Sequence, residues 1–163
     1  MALDPEVIGR SVTAPEPYEV SRAKIREFAD AIGDPNPAYR DPEAARKLGH
    51  SDVVAPPTFP FVFTFAAGLP LLDSLGVVLR QVVHGDQRFA YTRPVVPGDE
   101  LRCTVTVEGL RTMAGNHLLT TRTDVTDAGG ARVLSTWSTL VVRPSETTPG
   151  PRQVESLGGS TSP

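Results

Sequence analysis

Between Thr58 and Leu72 the chain has no polar face. Phe59, Phe61, Val62, Phe63, Phe65, Ala66, Ala67, Leu69, Leu71 and Leu72 fall on every side of a helical wheel. A surface helix keeps a polar stripe, so a run like this needs cover from other elements. Its length favours a helix over a strand. Pro60 suits a first turn, and Pro70 predicts a kink or an early end. Phe59–Leu72 is 14 residues with Thr64, Gly68 and two prolines, too short to span a bilayer. No membrane role is expected.

The C-terminal half of the chain has to supply that cover. From Val77 onward the hydrophobic period is two. Leu101, Cys103, Val105 and Val107 alternate with Arg102, Thr104, Thr106 and Glu108. Further β-rich runs are 77–83, 88–92, 117–126 and 133–142, with Trp137 read as strand core. Pro97-Gly98-Asp99, Ala114-Gly115-Asn116 and Asp127 to Gly130 separate them as turns. The expected class is therefore α+β: an antiparallel sheet of about five strands, curled around the apolar helix and burying it on all sides. A single curled sheet leaves an edge strand open, which points to a dimer.

Ahead of this core, Ile25, Phe28, Ala29 and Ile32 form one stripe of an amphipathic helix. Ser21 is placed to cap its start and Gly33 to end it. Asp34-Pro35-Asn36-Pro37 cannot continue the helix. Asp41 then caps a short second helix, with Pro42 in its first turn and Gly49 after its last. Arg22, Lys24 and Arg26 read as a solvated helix face, with contact to an acidic carrier protein as the alternative.

Composition narrows the function. A chain of 163 residues is one domain's worth. Its last twenty residues contain 14 Pro, Gly, Ser or Thr and are expected to form a disordered tail over 144–163, leaving 1–143 as the folded domain. A net charge of −3 and a pI of about 5.6 argue against a nucleic-acid binder. The lone Cys103 makes no internal disulfide, and the spacing of Cys and His suits no zinc site. No metal or cofactor is expected. The acidic, polar N-terminus lacks signal-peptide character, so a cytoplasmic location is expected.

Three segments carry a resemblance. They are Tyr18-Glu-Val…Ile32-Gly-Asp-Pro-Asn-Pro-Ala-Tyr39…Leu48-Gly-His50, Ala55-Pro-Pro-Thr-Phe59, and His84-Gly-Asp-Gln-Arg-Phe-Ala-Tyr-Thr-Arg-Pro-Val-Val-Pro-Gly-Asp99. Over about residues 5–143 the chain resembles the MaoC-like (R)-specific hydratase/dehydratase family. Within it, the chain is most similar to N-terminal-type subunits of heterodimeric (3R)-hydroxyacyl-ACP dehydratases. The resemblance implies the hot-dog fold, an acyl-ACP or acyl-CoA substrate, and a second hot-dog chain as hetero- or homodimeric partner.

It also implies a site. Catalytic members read G-D-x-N-P-x-H in the loop after the first helix. Their Asp and His move a proton at C2 and assist loss of the C3 hydroxyl beside a thioester. Here Gly33, Asp34, Asn36 and Pro37 match, but Tyr39 stands at the His position. An imidazole near pKa 6.5 is a competent base at pH 7. A phenol near 10 is ionised to about one part in a thousand, a penalty of roughly 4 kcal/mol. Catalytic members also offer a Gly amide before the buried helix as oxyanion donor. This chain has Pro56-Pro57, so its first free amides would be Thr58 and Phe59, at the positive end of the helix. The candidate catalytic positions are thus Asp34 and Tyr39, and the candidate substrate contacts are Asn36, Pro57, Thr58, Phe59 and His84. His50 and His117 read as solvated residues, and Cys103 as a buried small hydrophobe.

Three functions are compatible with these residues. The first is a dehydratase/hydratase subunit that shapes the acyl pocket for a catalytic partner. The second is an independent homodimeric hydratase or thioesterase; the latter would want a carboxylate on the apolar helix, where only Asp73 comes, at its end. The third is a non-catalytic acyl-thioester binding module.

Overall fold

The computed structural model describes residues 3–143; the expected tail, 144–163, lies outside the described residues. In chain order the elements are β1 (Ser11–Thr13), β2 (Tyr18–Glu19), α1 (Arg22–Ala31), α2 (Pro42–Lys47), α3 (Phe61–Ser74), β3 (Val82–Tyr91), β4 (Glu100–Met113), β5 (Asn116–Thr126) and β6 (Arg132–Val142). The strands form one antiparallel sheet in the order β1-β4-β5-β6-β3, and β2 pairs with β4 off this path.

Local chemistry sets the helix ends. Ser21 Oγ accepts the Lys24 amide at 3.1 Å and Asp41 Oδ1 accepts that of Glu43 at 2.9 Å, each satisfying a donor that the first turn leaves free. Gly33, at φ +69°, ends α1 in the left-handed conformation that glycine adopts without strain. Ile25 and Ala29 are fully buried, Phe28 is half-buried, and Ile32 lies exposed past the end of the helix.

The long strands follow the period-two pattern. Leu101, Cys103, Val105 and Val107 of β4 and Leu119, Thr121, Thr123 and Val125 of β5 are buried, on the face that α3 packs against. The alternate residues face outward. Trp137 is among these: it pairs in register with Arg122 and Arg88, and the Arg88 guanidinium lies 3.9 Å from its ring centroid. It is thus a half-buried residue of the outer face, because the inward positions of β6 are the even ones, Leu134, Thr136 and Leu140.

Four expectations need correction. The run 77–83 is not a strand of its own: Leu79–Gln81 is a 3-10 turn, and the strand after it absorbs both 82–83 and 88–91. Two short strands, β1 and β2, come from the N-terminal segment, which is too short to show a period. α3 starts at Phe61 and runs through Pro70 to Ser74. Pro70, and Ala66 whose carbonyl would have accepted its missing N–H, are both exposed, where water satisfies that carbonyl.

Finally, one sheet has one concave side and covers one side of a helix. Phe63, Thr64, Ala67, Leu71 and Leu72 are buried, whereas Phe65 remains 40% exposed. Next to the end of α3, Val78 and Leu79 are exposed as well. Beside them lies β3, which among the described residues pairs only with β6 and leaves its other edge unpaired.

Candidate functional site

Two nested side-chain turns build the loop after α1. Asp34 Oδ1 accepts the Asn36 amide at 3.0 Å, and Asn36 Oδ1 accepts the Ala38 amide at 3.0 Å. Short polar side chains hold prolyl turns this way. The Arg40 guanidinium ties the loop down, donating to Asp30 at 2.6 Å and to the Asn36 carbonyl at 3.1 Å. The following turn, Pro37–Tyr39, buries Ala38 and Tyr39. Tyr39 is 8% exposed.

The second wall depends on how α2 ends. Gly49, at φ +90°, donates to the Arg46 carbonyl, and the His50 amide reaches back to the Ala45 carbonyl at 3.1 Å. This pair of bonds is the Schellman cap, which folds the residue after the glycine back toward the helix. The chain then runs along the turn wall, with the Val54 amide on the Ala38 carbonyl at 3.2 Å and the Ala55 amide on the Val95 carbonyl at 2.9 Å. Between these anchors, Arg22 pairs with Asp52 at 2.5 Å, and its hydrogen bonds together with that of the Val53 amide hold the Asp52 carboxyl below its ordinary pKa.

The third wall is the exit of β3. The Tyr91 hydroxyl donates to the Pro57 carbonyl at 2.8 Å, and burial raises its phenol above the ordinary value. Arg93 grips Asp99 through two bonds of 2.9 Å and lies 3.6 Å from Asp127.

These walls line an open pocket of about 420 Å³. Its polar lining includes Asn36, Tyr39, His50, Tyr91 and Arg93; its apolar lining includes Leu48 and Val54. The lining is mostly apolar with a few convergent polar groups, the usual make-up of a small-molecule site. Arg93, the fixed cation of this lining, is neutralised by Asp99 and Asp127. Among the described residues no group of His, Cys, Asp and Glu is arranged to hold a metal ion.

Of the expected site residues, Asn36, Tyr39 and Pro57 line this pocket. Asp34 does not; its carboxylate serves the turn. Thr58 is exposed at the neighbouring bend. Phe59 is fully buried among Tyr18, Phe28 and Phe63, and its amide is not free, because it donates to the Pro56 carbonyl at 2.9 Å. His84 sits on β3, outside the pocket. Its Nε2 lies 3.0 Å from Gln87 Oε1, and its ring meets Phe61 at 5.4 Å. Gln87 Oε1 also accepts from Ser138, which leaves Gln87 Nε2 buried without a partner among the described residues.

Tyr91 and Arg93 join the site without a sequence expectation, and His50 joins it against the expectation of a solvated loop residue. The signal that marks His50 is Gly49: a residue just past a helix-ending glycine turns inward, so the His there is half-buried rather than solvated. Arg22 and Lys24 are held by Asp52 and Glu27, as befits a solvated face. No helix among the described residues is long and apolar enough to cross a membrane.

With this geometry in hand, known proteins provide the family. A family model described as "FAS1-like, dehydratase domain region" matches residues 6–136. A UPF0336 protein of Streptomyces coelicolor is 54% identical over 148 residues, covering 90% of this chain and 99% of the relative. The crystal structure of a C-terminally truncated HadBC (3R-hydroxyacyl-ACP dehydratase) complex from Mycobacterium tuberculosis superposes with a TM-score of 0.77 at 30% identity, over 83% of this chain and 96% of that one. A MaoC-like dehydratase superposes with a TM-score of 0.80 at 34% identity, over 85% of this chain but 43% of its own length. The antiparallel sheet laid over α3 is accordingly an α+β hot-dog fold, and the chain belongs to the FAS1-like, MaoC-like dehydratase family.

Proposed function

We propose that this chain is the pocket-shaping subunit of a (3R)-hydroxyacyl-thioester dehydratase or enoyl hydratase, acting in the cytoplasm on acyl-ACP or acyl-CoA. In this account a second hot-dog chain supplies the Asp/His pair. The observation that carries it is Tyr39, a buried phenol that lines a pocket of about 420 Å³ and stands where the motif resemblance puts the family's imidazole. Asp34, the other half of the pair, spends its carboxylate on the Asn36 amide and lies outside the pocket lining.

Two further features support a partner. The unpaired edge of β3 is a template for another strand. The exposed Phe65, Val78 and Leu79 on and just after α3 are the kind of apolar surface that marks a contact. One of the similar structures is itself a complex, that of the HadBC dehydratase. A thioesterase is disfavoured by α3, whose only carboxylate, Asp73, is exposed at its last turn.

The test is reconstitution with a candidate hot-dog chain that carries an intact Asp and His five residues apart. Turnover on crotonyl and longer thioesters should need both chains and vanish when the partner's His is replaced. Equal turnover with the partner's His removed would reject the proposal.

A further inference from the structure

We infer that His50 is the residue of this pocket that reads a hydroxyl group on the bound chain, so that it sets specificity for hydroxylated over saturated acyl ligands. The inference rests on the proposal that the pocket takes an acyl thioester, and adds to it a residue from outside the loop that holds Asp34 and Tyr39.

Three observations carry it. The backbone of His50 is held by the cap of α2, through its amide on the Ala45 carbonyl, and the residue lines the pocket. The ring makes no hydrogen bond among the described residues, unlike His84 on Gln87 and His117 on Thr112. An imidazole carries one donor and one acceptor when neutral, and both nitrogens are left for a ligand.

Several of the pocket's other polar groups are committed, whereas the buried Tyr39 hydroxyl, like the His50 ring, makes no hydrogen bond among the described residues and lines the pocket with it as a second reader. The Asn36 side-chain oxygen accepts the Ala38 amide, the Tyr91 hydroxyl donates to Pro57, and Arg93 is held by Asp99. The cation that would attract a free carboxylate or phosphate is thereby neutralised, so the favoured ligand is a neutral, mainly apolar chain with a group that both donates and accepts. A hydroxyl does both. The half-buried ring sits with Leu48, Val54 and Val95 among the lining residues, where water competes poorly for such a bond.

The experiment is direct binding of 3-hydroxyacyl, 2-enoyl and saturated acyl pantetheine thioesters of equal chain length to the purified full chain, as wild type, His50→Phe and His50→Gln. Phe keeps the ring and removes both nitrogens; Gln keeps a donor and an acceptor. The wild type should prefer the hydroxyacyl over the saturated thioester by about tenfold, the worth of one hydrogen bond. His50→Phe should bring that ratio to about one, and His50→Gln should keep part of it. An unchanged ratio in His50→Phe would overturn the role of His50 alone. If none of the thioesters bound the wild type, the acyl pocket itself would be rejected, and His50's role with it.

Discussion

The concave side of the sheet and the pocket at Tyr39 are built by different rules. Under α3, period-two strands lay Val105, Val107, Leu119 and Val125 on one face, and any one of them repeats what its neighbours do. The pocket has no period. It joins a nested turn at 34–39, a helix cap at 48–50 and a strand exit at 91–95, each held by a few hydrogen bonds. A core of the first kind carries stability, whereas a wall of the second kind carries position. Substitutions should therefore separate the two regions by what they change.

The largest effect belongs to the core. Phe59 is fully buried and packs edge-on against Phe28 at 5.6 Å and Phe63 at 6.2 Å. Phe59→Ala should cost about 3–5 kcal/mol, read as a lowered denaturation midpoint. A loss under about 1 kcal/mol, far below the usual cost of deleting a buried ring, would mean that the bend before α3 is not anchored by Phe59.

A smaller stability loss with a larger functional one is expected at Gly49. Nothing lies within 4 Å of where its Cβ would stand, so the φ of +90° is the obstacle. Gly49→Ala should cost about 1–2 kcal/mol and, by shifting His50, weaken ligand binding at the pocket. Unchanged binding beside a lowered melting temperature would show that the cap does not position the wall.

On the outer face, burial pushes the Asp124 carboxyl up, but hydrogen bonds from Ser135 and Arg122 outweigh it and leave the pKa below the ordinary carboxylate value. A depressed folded-state pKa stabilises above the unfolded value, near 3.9, and that contribution is lost as pH falls through the folded one. Asp124→Asn should therefore flatten the acid limb of a stability–pH curve and lower stability at pH 7 by about 1 kcal/mol. An acid limb identical to the wild type's would contradict the sign.

The smallest effect is at Cys103, which lines a second groove, about 280 Å³, between Tyr18 and α3. Burial pushes its thiol up to about 12, so the native chain should resist alkylation at pH 8 and react fully only when unfolded. Rapid modification of the folded chain would show that this groove opens.

The same contrast explains what is legible in the sequence. The period of Leu101 to Val107, the turn glycines and the caps at Ser21 and Asp41 are local signals, and each marks its element. The extent of α3 is less legible, because Pro70 argues for a stop that an exposed helix face tolerates. Trp137 reads as core by its neighbours in sequence, but the register that puts it beside Arg88 and Arg122 is a property of three strands.

At the site, Tyr39, Asn36 and Pro57 are within reach because one loop and one bend carry them. His50, Tyr91 and Arg93 are not, because the segments that join them to the pocket meet only through long-range bonds such as Ala55 to Val95. Phe59, close to Pro57 in sequence, faces the opposite way, into the core.

The most direct measurement of the central claim is turnover by the purified chain alone on crotonyl and longer-chain thioesters, for wild type, Asp34→Asn and Tyr39→Phe. A pocket whose base is a phenol should give all three the same rate, that of the reaction without protein. Turnover well above that background in the wild type, lost in Asp34→Asn, would show that the chain carries a working catalytic pair of its own.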